Sequence, residues 1–161
     1  MEVKKQDSFS ILLMSGTQDK VFSALTLATS AAAMGSSVSI FVSFWGLMAL
    51  RSKKIYKNKG LMDRMLTMIS PTFHALPLSN WNFFGIGRWL MARRMVQSNL
   101  MSLENLLEAA EDLGVIINIC DITMDAMAIT KEELVPYEHY QYCGAATLLA
   151  DAGESEIHYY I

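Results

Sequence analysis

Two cysteines, Cys120 and Cys143, are the residues whose type and placement point most directly to chemistry. Cys120 closes the run Val115-Ile-Ile-Asn-Ile-Cys120, and Asp-Ile-Thr-Met-Asp125 follows it. A short apolar run rich in β-branched residues reads as a strand buried on both faces. The small and polar residues after it can start a helix, so a thiol stands where a strand gives way to a helix. Backbone N–H groups and the helix dipole favour an anion there. The thiolate is expected to form more readily than in a free cysteine, whose pKa is about 8.5. The bland alternative is a small buried apolar residue. Asp121 works against a highly reactive thiolate if its charge points toward the sulfur.

The elements that would position these thiols alternate strand and helix. Phe9–Met14 reads as a first strand, turning at Ser15-Gly16-Thr17 into a helix capped by Thr17 or Asp19 and running to about Met34. Gly35 ends that helix, and Ser37–Phe44 is a second strand. Ser102 caps a helix with Leu103, Leu106, Leu107, Ala110 and Leu113 on its apolar side, stopped by Gly114. After the strand that delivers Cys120 come short helices over Thr123–Ala128 and Lys131–Leu134. Leu134–Glu138 is a candidate edge strand limited by Pro136. Cys143 opens a last helix to Ala150, and Ile157–Ile161 is a terminal strand. The pattern predicts an α/β fold, a three-layer α/β/α sandwich with a mainly parallel sheet of about five strands. Function in such sheets gathers at the carboxyl ends of the strands. Here those ends are Ser15-Gly16, Trp45-Gly46 and Cys120, with Cys143 placed to join them. Two thiols in one crevice would permit a relay or a disulfide, and the sequence does not set their separation.

The chain has 161 residues, 52% hydrophobic and 18% charged, which fits one domain (1–161) with a real core and excludes a disordered chain. Its net charge is −3, yet nine of the thirteen Lys/Arg and only one acid, Asp63, fall between Arg51 and Arg94. A basic segment of this kind faces an anionic surface or the acidic part of another subunit. Seven of the twelve methionines lie between Met48 and Met101. Residues 51–100 therefore read as a basic, Met-rich insertion. It would hold a mobile loop at Arg51–Lys59, short helices at Leu61–Ile69 and Arg88–Val96, and an aromatic stretch at Trp81–Phe84. Its methionine stripe is read first as core filling, then as an oligomer interface, then as contact with a membrane surface. Val21–Leu50 carries no formal charge, but Gly35-Ser36-Ser37 splits it into a helical and a β-branched half, so two buried elements explain it better than one membrane span. Met1–Asp7 is a solvated lead-in without a signal-peptide pattern. Two cysteines without a disulfide framework favour a reducing, cytoplasmic setting.

Other chemistries lack their residues. Ser15-Gly16-Thr17 has neither the glycine run nor the Gly-Lys-Ser/Thr ending of a phosphate loop, and no Gly-x-Gly-x-x-Gly follows a strand. His74, His139 and His158 are scattered, and none has metal-ligand spacing with the cysteines.

Taken together, Ser15-Gly-Thr-Gln-Asp-Lys20, Ala31-Ala-Ala-Met-Gly35, Phe44-Trp-Gly-Leu47, Cys120-Asp-Ile-Thr-Met-Asp-Ala-Met127 and Glu132-Glu-Leu134 resemble the DsrE/DsrF-like family. The closer likeness is to its archaeal and bacterial branch with a Phe-Trp-Gly motif and a Met-rich insertion, from about Phe9 to Ile161. The resemblance implies a three-layer α/β/α fold, homo- or hetero-oligomers and a place in sulfur trafficking. It implies that the family's cysteine, here Cys120, carries sulfane sulfur as a persulfide or thiosulfonate. The Ser-Gly turn corresponds to Ser15-Gly16, and the Phe-Trp-Gly motif to Phe44-Trp45-Gly46. Thr123 stands where serine is usual, Cys143-Gly144 where a glycine pair is common, and Asp121 where a small polar residue is frequent.

The expected activity is thus sulfur carriage on Cys120, with backbone N–H groups of Ile122 and Thr123 and the Thr123 hydroxyl stabilising the anionic sulfur. Ser15, Gly16, Trp45 and Gly46 would line the site. The expected partners are sulfur-donor and sulfur-acceptor proteins or small sulfur compounds and further copies of the chain. Peripheral membrane contact is a further expectation, and neither nucleic acid, metal nor organic cofactor is called for. The competing expectation is a non-catalytic oligomeric assembly module whose basic Met-rich segment docks a membrane surface or an acidic partner. A third is peroxide-type redox chemistry at Cys120 and Cys143.

Overall fold

The computed structural model describes residues 8–80, 86–155 and 157–161. Met1–Asp7 and the aromatic stretch Trp81–Phe84 lie outside the described residues. Five strands form one sheet: β1 (Ser8–Leu13), β2 (Ser37–Val42), β3 (Ile116–Cys120), β4 (Tyr140–Cys143) and β5 (Ile157–Tyr160). Their order is β4-β3-β2-β1-β5 and every pairing is parallel. The helices are α1 (Gln18–Ala33), α2 (Leu61–Ile69), α3 (Ile86–Gln97), α4 (Leu103–Asp112), α5 (Asp121–Ala126) and α6 (Ala145–Glu154), with a 3-10 turn at Phe44–Leu50.

Connection handedness explains the layers. The steps β1→β2 and β2→β3 run the same way along the sheet, so right-handed crossovers put α1 and α4 on one face. The step β4→β5 runs back past β1, which sends α6 to the other face. There Asn118 Nδ2 donates to Asp151 Oδ2 of α6 at 2.8 Å, and Ser8 Oγ donates to the Glu154 carbonyl at 2.7 Å. Alternation along each strand sorts the residues accordingly. Ile11, Leu13, Ile40, Val42, Ile117 and Ile119 join Val21, Ala24, Leu25, Leu106, Leu107 and Ala110 in the core. Ser10, Asn118 and Cys120 belong to the opposite face. This is the three-layer α/β/α arrangement, with α6 on the second side.

The uncharged run Val21–Leu50 comprises a helix, a turn at Gly35 (φ +90°) and a strand, and among the described residues no helix is long and apolar enough to cross a membrane. Ser102 caps α4 by accepting from the Asn105 N–H at 3.2 Å. Thr17 holds the cap position of α1 without a side-chain cap bond, and the Asp19 carboxylate accepts from the Ser79 N–H at 3.0 Å and from the Ser79 hydroxyl.

Four expectations need correction. Leu134–Glu138 is not a strand: the Val135 N–H donates to the Leu50 carbonyl at 2.7 Å, Leu134 bridges Arg51, and the Tyr137 hydroxyl donates to the Val115 carbonyl at 2.6 Å. The fourth strand is Tyr140–Cys143, so Cys143 ends a strand rather than opening the last helix. Arg51–Lys59 is not a free polar loop. Arg51 and Glu133 are both fully buried, and Glu133 accepts from Arg51 Nη2 at 2.6 Å, Lys59 Nζ at 2.7 Å, the Ile55 N–H at 2.8 Å and the Thr130 N–H at 3.0 Å. Those donors hold the Glu133 carboxyl below its ordinary range against the effect of burial. The Met-rich helix α2 does not fill the core either. Met62, Met65 and Met68 are 79%, 56% and 64% exposed, with Leu61 and Ile69 exposed beside them.

Candidate functional site

The carboxyl ends of β1 to β4 form one row, because the ladders pair Leu13 with Val42, Val42 with Ile119, and Cys120 with Cys143. The last of these pairings is the most consequential. Neighbouring strands run about 4.8 Å apart, so the two cysteine Cα atoms face each other at that spacing on the same side of the sheet. Both thiols are free, Cys120 buried at 7% exposure and Cys143 half-buried. Burial pushes the Cys143 thiol above its ordinary pKa. A hydrogen bond from Thr147 of α6 acts the other way, and the charges of Asp121, Asp151 and Cys120 add to the rise. The Asp121 carboxylate therefore acts on the neighbouring strand's thiol.

On the other side of Cys120 stands the turn after β2. Phe44 takes a left-handed backbone conformation (φ +46°), which costs a residue with a side chain on the order of 1 kcal/mol or more. Thr123, buried in the first turn of α5, holds that turn in place. Its Oγ1 accepts from the Phe44 N–H at 3.2 Å and lies 3.1 Å from Ser43 Oγ. When the Ser43 hydroxyl donates in that pair, the Thr123 O–H remains a donor for another group. With the turn fixed, the side chains of Phe44 and Trp45 are 55% and 56% exposed at the rim.

Gly16 and Gly46 are both buried and lock the first two strand ends together. The Gly46 N–H donates to the Met14 carbonyl at 3.0 Å, and a Cβ at Gly46 would lie 2.3 Å from the Leu13 oxygen. A Cβ at Gly16 would lie 2.2 Å from the Trp45 oxygen. Two backbones touch here, and only glycine at both positions permits it. Ser15 is half-buried, and its Oγ lies 3.3 Å from Thr17 Oγ1. Two strand spacings, roughly 9–10 Å, separate β1 from β3. The structure thus brings Cys143 and Thr123 to the neighbourhood of Cys120, and leaves Ser15 and Gly16 at the far end of the row. Ile122 is exposed beside Thr123. Sequence reasoning missed Ser43, Thr147 and Glu133. Of these only Glu133 had a signal, as part of Glu132-Glu133-Leu134. Among the described residues no three His, Cys, Asp or Glu side chains gather as metal ligands.

Comparison with known proteins gives the family. The sequence pattern of the DsrE/DsrF/DrsH-like family matches residues 5–160. The chain belongs to that family. A relative from Bacillus subtilis, the uncharacterized protein YrkE, is 34% identical over 154 residues, covering 94% of this chain and 95% of its own. The sulfur carrier protein DsrE2 of Allochromatium vinosum is 29% identical over 160 residues, covering 98% and 99%. Among solved structures, the YchN protein of E. coli superposes with a TM-score of 0.54 at 12% identity over 97% of this chain and 99% of that one. This last likeness is one of fold, an α/β domain with a parallel sheet.

Proposed function

We propose that this member of the DsrE/DsrF/DrsH-like family carries sulfane sulfur on Cys120 and passes it from a donor to an acceptor. The observation that carries the reading is the position of Cys120. It is the last residue of β3 and the residue from which α5 starts, so the first N–H groups of α5, which have no intrahelical partner, belong to the residues directly after the thiol. The chain's similarity to a sulfur carrier along its whole length supports the same assignment.

In the forward half-reaction the Cys120 thiolate attacks the outer sulfur of a donor persulfide, and the donor thiolate leaves. In the return half-reaction an acceptor thiolate attacks the outer sulfur on Cys120 and restores the cysteine. Ile122 and Thr123 contribute backbone N–H groups near the loaded sulfur, and the Thr123 hydroxyl is the nearby side-chain donor. Phe44 and Trp45 offer an apolar rim for a partner protein bringing its own cysteine. Cytoplasmic thiol pools would keep both cysteines reduced between cycles. Cyanide treatment of protein loaded with a small persulfide should release thiocyanate from the wild type and none from Cys120→Ser. Equal release from the variant would reject Cys120 as the carrier.

Assembly is a second element of the proposal, and α2 is the observation favouring it. A helix that exposes Leu61, Met62, Met65, Met68 and Ile69 together has an apolar face suited to another copy of the chain. Light scattering on the wild type should give a multiple of the monomer mass that Met65→Lys/Met68→Lys lowers. A monomeric wild type would remove oligomerisation from the account.

A further inference from the structure

The Cys120–Cys143 register has a consequence beyond sulfur carriage on one thiol, and it rests on the reading that Cys120 holds sulfane sulfur. We propose that Cys143 is a resolving thiol: it attacks the inner sulfur of the Cys120 persulfide, releases the outer sulfur as sulfide and leaves a disulfide between the ends of β3 and β4. The persulfide on Cys120 and the thiol of Cys143 are consumed, and one Cys120–Cys143 disulfide and one hydrogen sulfide are formed. The bond from Cys143 Sγ to Cys120 Sγ forms while the bond from Cys120 Sγ to the outer sulfur breaks. The sulfane sulfur is reduced to sulfide, the two cysteines are oxidised to a disulfide, and the proton of Cys143 leaves on the sulfide. An external dithiol, or two monothiols in succession, then reduces the bridge and readies the chain for another load.

Three observations converge on this step. First, Cys120 and Cys143 are paired in register as the last residues of adjacent parallel strands. The strand spacing of about 4.8 Å lies within the Cα range of about 4.4–6.8 Å that a disulfide spans. Second, pairing of Ile119 with Tyr142 one residue earlier fixes the pleat, so both thiols lie on the face away from Ile117 and Ile119. The ladder thus presents Cys143 to Cys120 itself, whereas the outer sulfur of a persulfide is one further S–S bond, about 2 Å, along. Third, each cysteine is a strand terminus. Beyond them the chain passes into α5 and through Gly144 into α6, so the small approach needed to close a bridge breaks no later ladder bond.

The surroundings of Cys143 set its pace. Burial, the Asp121 carboxylate from α5 and the Asp151 carboxylate from α6 push its thiol above the ordinary range, against a hydrogen bond from Thr147 on α6. Discharge to Cys143 and attack by an acceptor's thiol then compete for the same persulfide. The carrier hands its sulfur on when an acceptor is present and releases sulfide when none arrives.

The test uses the full-length reduced protein, loaded anaerobically with a small-molecule persulfide, desalted and followed in time by non-reducing intact mass and a sulfide assay. In the wild type the species with one added sulfur should give way to one lacking two hydrogens. Sulfide should appear one per chain, at a rate independent of protein concentration, and peptide mapping should join Cys120 to Cys143. Cys143→Ser and Cys143→Ala should hold the added sulfur, with complete loss of both the bridged species and the sulfide. Wild type that keeps its added sulfur as long as the variants and releases no sulfide overturns the resolving role while leaving sulfur carriage intact. Added sulfur found on Cys143 with Cys120 reduced overturns it in favour of transfer between the thiols. A wild type that takes no sulfur on either cysteine overturns both this inference and the carrier reading.

Discussion

Replacing Gly46 by alanine is the sharpest way to ask whether the first two strand ends hold the site together. The new Cβ would lie 2.3 Å from the Leu13 oxygen, 3.0 Å from its carbon and 3.3 Å from its Cγ. Backbone cannot give way like the tip of a flexible side chain, so the strand ends must part by the better part of an ångström. Two hydrogen bonds oppose that movement: Ser43 N–H to the Leu13 carbonyl and Gly46 N–H to the Met14 carbonyl, each at 3.0 Å. Overpacking of this kind costs about 1–3 kcal/mol, and a weakened backbone hydrogen bond adds about 1. The expected loss is therefore about 2–4 kcal/mol, a fall in Tm of roughly 5–15 °C for a chain of this length. The displacement should also reach Cys120, because the Phe44 N–H between Ser43 and Gly46 hangs on Thr123. Gly144→Ala serves as the control, since its Cβ would meet nothing within 4 Å. Urea denaturation gives the stability, and the rate of Cys120 alkylation reports on the site. If Gly46→Ala matches Gly144→Ala within about 0.5 kcal/mol and alkylates at the wild-type rate, the argument for backbone contact at this edge is wrong.

Four further outcomes follow from the structure. Glu133→Ala leaves Arg51 and Lys59 without their shared carboxylate and should cost about 3–5 kcal/mol, with faster hydrogen exchange at the Ile55 amide; a loss near zero would contradict the buried cluster. Because the folded Glu133 carboxyl is held below its ordinary range, its contribution is present above that range and disappears as pH falls through the depressed value. Glu133→Gln should therefore flatten the acid limb of the stability curve. Thr123→Val keeps the shape but strands the Phe44 N–H, so it should cost about 1–3 kcal/mol and slow sulfur loading, whereas Thr123→Ser should retain both; equal behaviour of the two variants would deny the hydroxyl its role. Asp121→Asn removes a charge that raises the Cys143 thiol, so alkylation of Cys143 at neutral pH should quicken, and an unchanged rate would place that charge elsewhere.

How legible each feature was depended on how far its cause lay along the chain. The α/β class, four of the five strands and α1, α2 and α4 could be read from local periodicity and from caps such as Ser102 and Gly35. The fourth strand could not. Leu134, Val135 and Tyr137 are buried and apolar like a strand, yet their backbone and hydroxyl bonds go to Leu50, Arg51 and the start of β3. Tyr140–Cys143 is only four residues long at the sheet edge, with its aromatic and polar residues alternating, a signal too short to stand out. Misplacing that strand hid the pairing of Cys120 with Cys143, since register is set by the neighbouring strand rather than by either sequence alone. The basic loop misled for a similar reason. Nothing local to Arg51 or Lys59 announces a buried carboxylate 82 and 74 positions away, respectively. Amphipathic helices usually bury their apolar face, so the sequence points the methionines of α2 to the core, whereas the described residues place no element over them.

Sulfur on Cys120 is the central claim, and intact mass after loading tests it most directly. Reduced wild type and Cys120→Ser are incubated separately with thiosulfate, tetrathionate and a small persulfide, then weighed before and after dithiothreitol. The account predicts a sulfur-containing adduct on the wild type that dithiothreitol removes, located at Cys120 by peptide mapping, and no such adduct at that position in the variant. An unmodified wild type with all three donors, or an adduct that persists in Cys120→Ser, would contradict it.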